Sequence, residues 1–257
     1  MKKYILLLLA LITAGNLSAQ EERTPGTLRA ALQGWEYALK AGVSIGGTAP
    51  LPLPIEIRSI DSYNPGLVIA IEGNATKWLD EAKKWGLTMG LRLESKNMTT
   101  KATVKNYGMK IISGDQMLEG LWTGGVRTKV RNSYLTLPIL ANYRLSSRWK
   151  LVAGPYFSYL LEGDFSGNVY EGHLRTPDAT GSRVDFTGES IATYDFTKEL
   201  RYFAYGIQVG GEWKALKRLT VHGDLMWGVN DIFKSDFETI KFAMYPIYLN
   251  LGFGYSF

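Results

Sequence analysis

Large apolar residues occupy every second position in eight stretches of the chain. In "WEYALKAGVSIG" the odd positions are Trp35, Tyr37, Leu39, Ala41, Val43 and Ile45. The even positions are Glu36, Ala38, Lys40, Gly42, Ser44 and Gly46. A period of two puts these sets on opposite faces of a β-strand. The same rhythm runs over 63–73, 85–94, 133–143, 149–161, 202–213, 219–229 and 244–257. Each stretch has about ten residues or more, the length that crosses a bilayer at a tilt. Helical patterns are nearly absent. "TLRAALQGW" (27–35) predicts at most one helical turn, of marginal length, before the first strand.

The connections alternate in length. Long ones follow the first, third, fifth and seventh strands, at 47–62, 95–132, 163–199 and 231–241; those at 74–84, 145–148 and 214–218 are shorter. An even-stranded up-and-down barrel with long loops at one end and short turns at the other has this signature. Inside 95–132, "MTTKATVKNYGMKI" and "VRTKVRNS" flank a Gly114-Asp115 turn and the glycine-rich "WTGGV". They predict a hairpin that carries strands three and four beyond the membrane.

Alternation alone does not say which face is inside. A soluble barrel hides its apolar face, whereas a membrane barrel turns it to lipid. The polar face of the last strand carries Asn250, Gly252, Gly254 and Ser256, and that of the sixth Ala204, Gly206, Gln208, Gly210 and Glu212. Small residues of this kind fit a narrow interior better than a water-facing sheet, where glycine weakens the strand. The aromatic residues also sort by height. Trp35, Trp85, Tyr143, Trp149, Trp213 and Tyr255 fall at the short-turn end, and Tyr63, Tyr159, Phe203, Trp227 and Tyr245 at the other. Two such belts mark the two membrane interfaces. The expectation is an all-β, eight-stranded antiparallel up-and-down transmembrane β-barrel with long extracellular loops. Its last strand, "LNLGFGYSF", is expected to close on the first, because an open edge is intolerable in lipid.

Composition agrees. Hydrophobic residues make up 46% and mean hydropathy is -0.08, as expected where strands mix apolar and polar residues one for one. Residues 1–19 read as a signal peptide, with Lys2 and Lys3, a short apolar run and "NLSA" before an expected cut at Gln20. A periplasmic segment (20–34) and the barrel (35–257) follow. The formal charge is +5, about +3 without the signal lysines, too mild for a nucleic-acid partner. There is no cysteine, which excludes disulfides and thiolate chemistry.

"SYLTLPILANYRL" (133–145) and "WKLVAGPYFSYLL" (149–161) resemble the PorT-like, porin-family outer-membrane β-barrel proteins of Bacteroidetes. Tyr134, Leu135, Leu137, Pro138, Gly154, Pro155 and Tyr156 carry the likeness. Leu251, Phe253, Tyr255 and Phe257 resemble the insertion signal read by the barrel-assembly machinery, which the resemblance implies as a partner during biogenesis. The resemblance implies an outer-membrane barrel and no common activity.

Polar-face charges are the main candidates for chemistry: Glu36, Lys40, Glu72, Arg92, Glu94, Glu212, His222 and Asp224. Charges in so narrow a space must be paired. An ionic network plugging the interior is the expectation; a gated polar path and proton transfer through His222 and Asp224 are the alternatives. No catalytic residue, metal ligand or cofactor site is assigned. His173, Arg175, Asp178 and Ser182 share a polar loop, a grouping common by chance that does not make a triad without the geometry. Asp231, Asp236 and Glu238 match no calcium loop, and "GIQVGGEW" lacks the Lys-Ser/Thr of a phosphate loop. The expected surroundings are outer-membrane lipid and an outer-membrane protein or surface polymer met by 95–132 and 163–199. A narrow solute channel is the second reading and an enzyme at the rim the third.

Overall fold

The computed structural model describes residues 34–113, 116–187, 192–240 and 242–257. The expected signal at 1–19, all but the last two residues of the expected helical turn at 27–35, and the Gly114-Asp115 turn lie outside the described residues; Trp35 itself opens a strand. The chain divides into two compact units, Met1–Trp35 and Glu36–Phe257, and the fold is that of the second.

Twelve strands occur among the described residues: β1 (Trp35–Pro50), β2 (Ile57–Asn64), β3 (Ile69–Trp78), β4 (Trp85–Ser113), β5 (Gln116–Arg144), β6 (Trp149–Glu162), β7 (Phe165–Thr176), β8 (Ser182–Phe186), β9 (Ala192–Asp195), β10 (Phe203–Lys214), β11 (Leu219–Gly228) and β12 (Met244–Ser256). Starting from β1, the hydrogen-bonded neighbours are β12, β11, β10, β6, β5, β4, β3 and then β1 again. The ladder returns to its first strand. The β12–β1 pairing runs from Ala38↔Ser256 to Pro50↔Met244.

The remaining strands attach above this ring. β2 pairs with the upper half of β4, from Ile57↔Val104 to Asn64↔Thr99. β7 pairs with the upper half of β5, from Leu121↔Arg175 to Val130↔Phe165. β8 and β9 add to β7, and β9 also meets Ile112 of β4. Much of the described part of the connections at 95–132 and 163–199 is thus folded sheet, and β4 and β5 each run for 29 residues.

One strand boundary differs from the sequence reading. The stretch 63–73, expected as a single strand, is divided between β2 and β3. Pro65 has no N–H to give a ladder. Gly66 then takes a φ of +51°, with its N–H donating to the Asn64 side chain at 3.0 Å. Tyr63 therefore belongs to β2, off the ring.

The two faces of β4 exchange character along its length. From Trp85 upward the outward residues are Leu87, Met89, Leu91 and Leu93, then Ser95, Asn97, Thr99, Lys101 and Thr103. The inward ones are Thr88, Arg92, Glu94 and Lys96, then Met98, Ala102 and Val104. β5 does the same in reverse order, and the exchange falls at Ser95 and Ser133, which are paired and hydrogen-bonded at 3.0 Å. Below this line polar groups face in and apolar ones out. Above it the inside is an apolar core that includes Ile111, Trp122, Val130, Val169, Leu174 and Phe233. Water around the upper part favours apolar burial. The lower part needs an apolar surrounding to accept Leu91, Ile207 and Phe253, which are 47%, 54% and 62% exposed.

Candidate functional site

The interior of the lower part is filled by a network to which every strand of the ring contributes. Arg92 on β4 lies at its centre. Its Nε donates to Glu72 Oε2 at 2.7 Å, its second guanidinium nitrogen reaches the same carboxylate at 2.5 Å, and Nη2 also donates to Gln208 at 3.1 Å. Glu94 lies 3.7 Å from Arg92 and 3.2 Å from Lys96, and accepts the Thr136 hydroxyl at 2.8 Å. Lys40 pairs with Glu212, which Lys150 also meets at 2.8 Å. Asn74 donates to Glu72 at 2.8 Å. His222 Nε2 meets Asn250 Oδ1 at 3.1 Å, and the Asn250 amide donates to Ser44 at 3.0 Å. Arg92, Glu94 and Glu72 are buried to 3% exposure or less, and each charge faces an opposite one and a hydrogen-bond partner, which offsets the cost of burial. The void left beside Lys40, Glu72, Arg92, His222 and Asn250 is about 10 Å³, near the least that holds one water.

Of the eight charges singled out in the sequence, the structure brings Lys40, Glu72, Arg92, Glu94, Glu212, His222 and Asp224 into this buried layer. It leaves Glu36 at the short-turn rim, in contact with Lys83 at 3.0 Å and Arg144 at 4.0 Å. Sequence reading missed Lys96. It sits two residues past the end assigned to its strand, yet keeps the inward phase of Arg92 and Glu94. Its ammonium lies 5.1–5.8 Å from the ring centres of Tyr134, Tyr156 and Tyr248, within cation–π range.

On the outer surface, Trp85 packs on Tyr143 at 4.6 Å and Trp149 on Trp213 at 6.4 Å, beside the short turns. Tyr255 pairs with Leu39 and Leu219 at that end, and Trp35 opens β1. In the opposite row Tyr159 pairs with Phe203, Trp227 with Ile247 and Tyr245 with Ala49. Trp149 and Tyr159 are ten residues apart on β6, about 25 Å of height at a tilt of about 40°. Leu251, Phe253 and Tyr255 are exposed on β12, and Phe257 stacks edge-on against Tyr255 at 5.3 Å.

The loop candidates do not assemble a reacting site. His173 pairs with Asp185, and Ser182 with Thr176, along the β7–β8 ladder. The Asp178 carboxylate is held by Thr180 at 2.8 Å. Partial burial, then Arg183 and Arg175, push the His173 imidazole below its ordinary pKa. Asp231 accepts the backbone N–H groups of Phe233 and Met244.

A second interior feature lies above the plug. A cavity of about 360 Å³ is lined by Met98, Val104 and Met109 of β4, Val126 of β5, Phe196 and Met244, among others.

A sheet with charges inside and apolar residues outside is the arrangement of a β-barrel in a bilayer. This chain belongs to the outer membrane protein beta-barrel domain family, whose model matches residues 18–234. Among curated proteins none matches the sequence. Among solved structures, the attachment invasion locus protein Ail of Yersinia pestis aligns over 87% of this chain and 97% of its own, with 8% identity and a TM-score of 0.38. Neisserial surface protein A aligns over 88% and 98%, with 9% identity and a TM-score of 0.31. The outer membrane protease OmpT from Escherichia coli aligns over 93% and 99%, with 13% identity and a TM-score of 0.33. Likeness at these scores carries nothing about task, and the assignment rests on the family.

Proposed function

We propose that this chain is an eight-stranded up-and-down outer-membrane barrel whose task is interaction through its outward extension, neither conduction nor catalysis. Short turns face the periplasm and long connections the outside. The exchange of polarity at Ser95 and Ser133 carries the reading. It marks a lipid-embedded lower part and a water-exposed upper part with its own apolar core, built from β4, β5, β7, β8 and β9. A structured body of this size outside the membrane is a surface for a partner, while the filled interior leaves little room for solute. The PorT-like likeness and the terminal assembly signal fit the same reading.

The test is chemical cross-linking in native outer membranes followed by recovery of the full chain. A specific cross-linked species that is lost when the surface of β7 and β8 is altered is the expected result. Recovery solely as a free monomer, under conditions that cross-link neighbouring outer-membrane proteins, removes the interaction role.

A further inference from the structure

The cavity above the plug has a mostly apolar wall, and several of its polar groups are already engaged. The Tyr63 hydroxyl donates to Gly46 O at 2.6 Å, the Thr128 and Tyr194 hydroxyls meet at 2.7 Å, and the Thr48 N–H lies 3.3 Å from the Met98 sulfur. Nothing in this wall calls for a polar ligand, and the volume of about 360 Å³ is that of a small-ligand pocket. The lining follows β4 from Met98 through Thr100 and Ala102 to Val104, a rise of about 20 Å. A volume of about 360 Å³ along a wall of that length has room for an unbranched chain.

Its mouth is located by residues that line the cavity and are exposed as well: Leu53, Ile60 and Tyr63, at 54%, 58% and 47%. They face Gly46–Pro50 of β1 across a seam. β2 ends the strand path and takes its ladder from β4, so the Tyr63–Gly46 hydrogen bond is the bridge described across this seam. On its other side Ala49 pairs with Tyr245 of the upper aromatic row, which places the mouth at the outer interface. Leu51, Ile55, Leu67 and Ile69 are exposed around it and join it to the apolar belt below.

We infer that this chamber takes one acyl chain of an outer-leaflet lipid, which enters sideways between β1 and β2. The exposed Ile69 and Leu67 lead a hydrocarbon chain from the apolar belt up to the mouth, and the plug beneath stops it at Met98. Tyr63 acts as the latch of the seam. The inference rests on the membrane-barrel reading above.

Full-length protein in vesicles containing a phospholipid with a diazirine in its acyl chain tests this. After illumination, adducts are mapped by mass spectrometry. Adducts on inward Met98, Val104 or Met109 are expected beside those on outward Leu87, Leu91 and Leu251. Ala102→Trp, which fills the slot, is expected to lose the inward adducts and keep the outward ones; Val126→Phe serves the same purpose if the first variant does not reach the compact, heat-modifiable form. Outward adducts alone in the unaltered protein overturn the inference and leave the barrel reading intact. Absence of outward adducts overturns the barrel reading itself. Inward adducts that persist in both filled variants, or that form with a free diazirine fatty acid but not with the phospholipid, overturn the lipid occupant.

Discussion

Arg92 shows how a single residue holds the interior together. It faces Glu72, Glu94 and Gln208 at once, and two carboxylates depend on it. Removing one partner of a buried ion pair leaves the other charge uncompensated, which costs about 3–5 kcal/mol. Arg92→Ala is therefore expected to lower the urea midpoint of the refolded protein sharply, while Lys83→Ala at the exposed rim pair with Glu36 lowers the unfolding free energy by less than about 1 kcal/mol and barely moves the midpoint. Equal effects would show that the interior network is not what stabilises the ring. At this scale much was legible. Seven of the eight charges named from alternation are buried in one layer, because strand phase is a local property. Glu36 shares the phase yet lies too near the strand end to be enclosed, and phase alone carries no height.

At the scale of elements, the glycines of the inner face record how closely strands and contents approach. A Cβ on Gly252 would come within 2.1 Å of the Ala41 carbonyl oxygen and 2.5 Å of the Gly42 Cα, both backbone atoms that cannot swing aside. A Cβ on Gly73, which is exposed, meets nothing within 4 Å. Gly252→Leu is expected to abolish the heat-dependent mobility shift on a denaturing gel, and Gly73→Leu to preserve it. A folded Gly252→Leu protein would mean that β12 and β1 are not so closely joined. Seven of the eight periodic stretches appear as strands, and the rising hairpin as β4 and β5. The division of 63–73 at Pro65-Gly66 was written in the turn residues but overridden by the alternation on either side. The polarity exchange along β4 was also present in the order Leu91, Leu93, Ser95, Asn97, and a period count that ignores which phase is apolar passes over it.

For the whole molecule, the lower interior is closed by paired charges and the upper one by an apolar core. Full-length protein in a planar bilayer is expected to give no discrete conductance steps at moderate voltage, since a path would have to part Arg92 from Glu72 and Lys40 from Glu212 together. Reproducible steps that Arg92→Ala enlarges would replace the interaction reading with that of a narrow channel. The sequence by itself determined that the chain is a set of antiparallel strands, which residues share a face, and that one face carries charges in need of partners. These follow from the two-residue period of an extended chain, which is local. Tertiary structure alone decided which strands are neighbours, that β7 folds back onto β5, that Lys96 enters a cage of three tyrosines, and that a slot opens between β1 and β2. Each of these depends on residues far apart in sequence meeting at one height, and height is set by strand register and tilt, which no stretch of sequence contains.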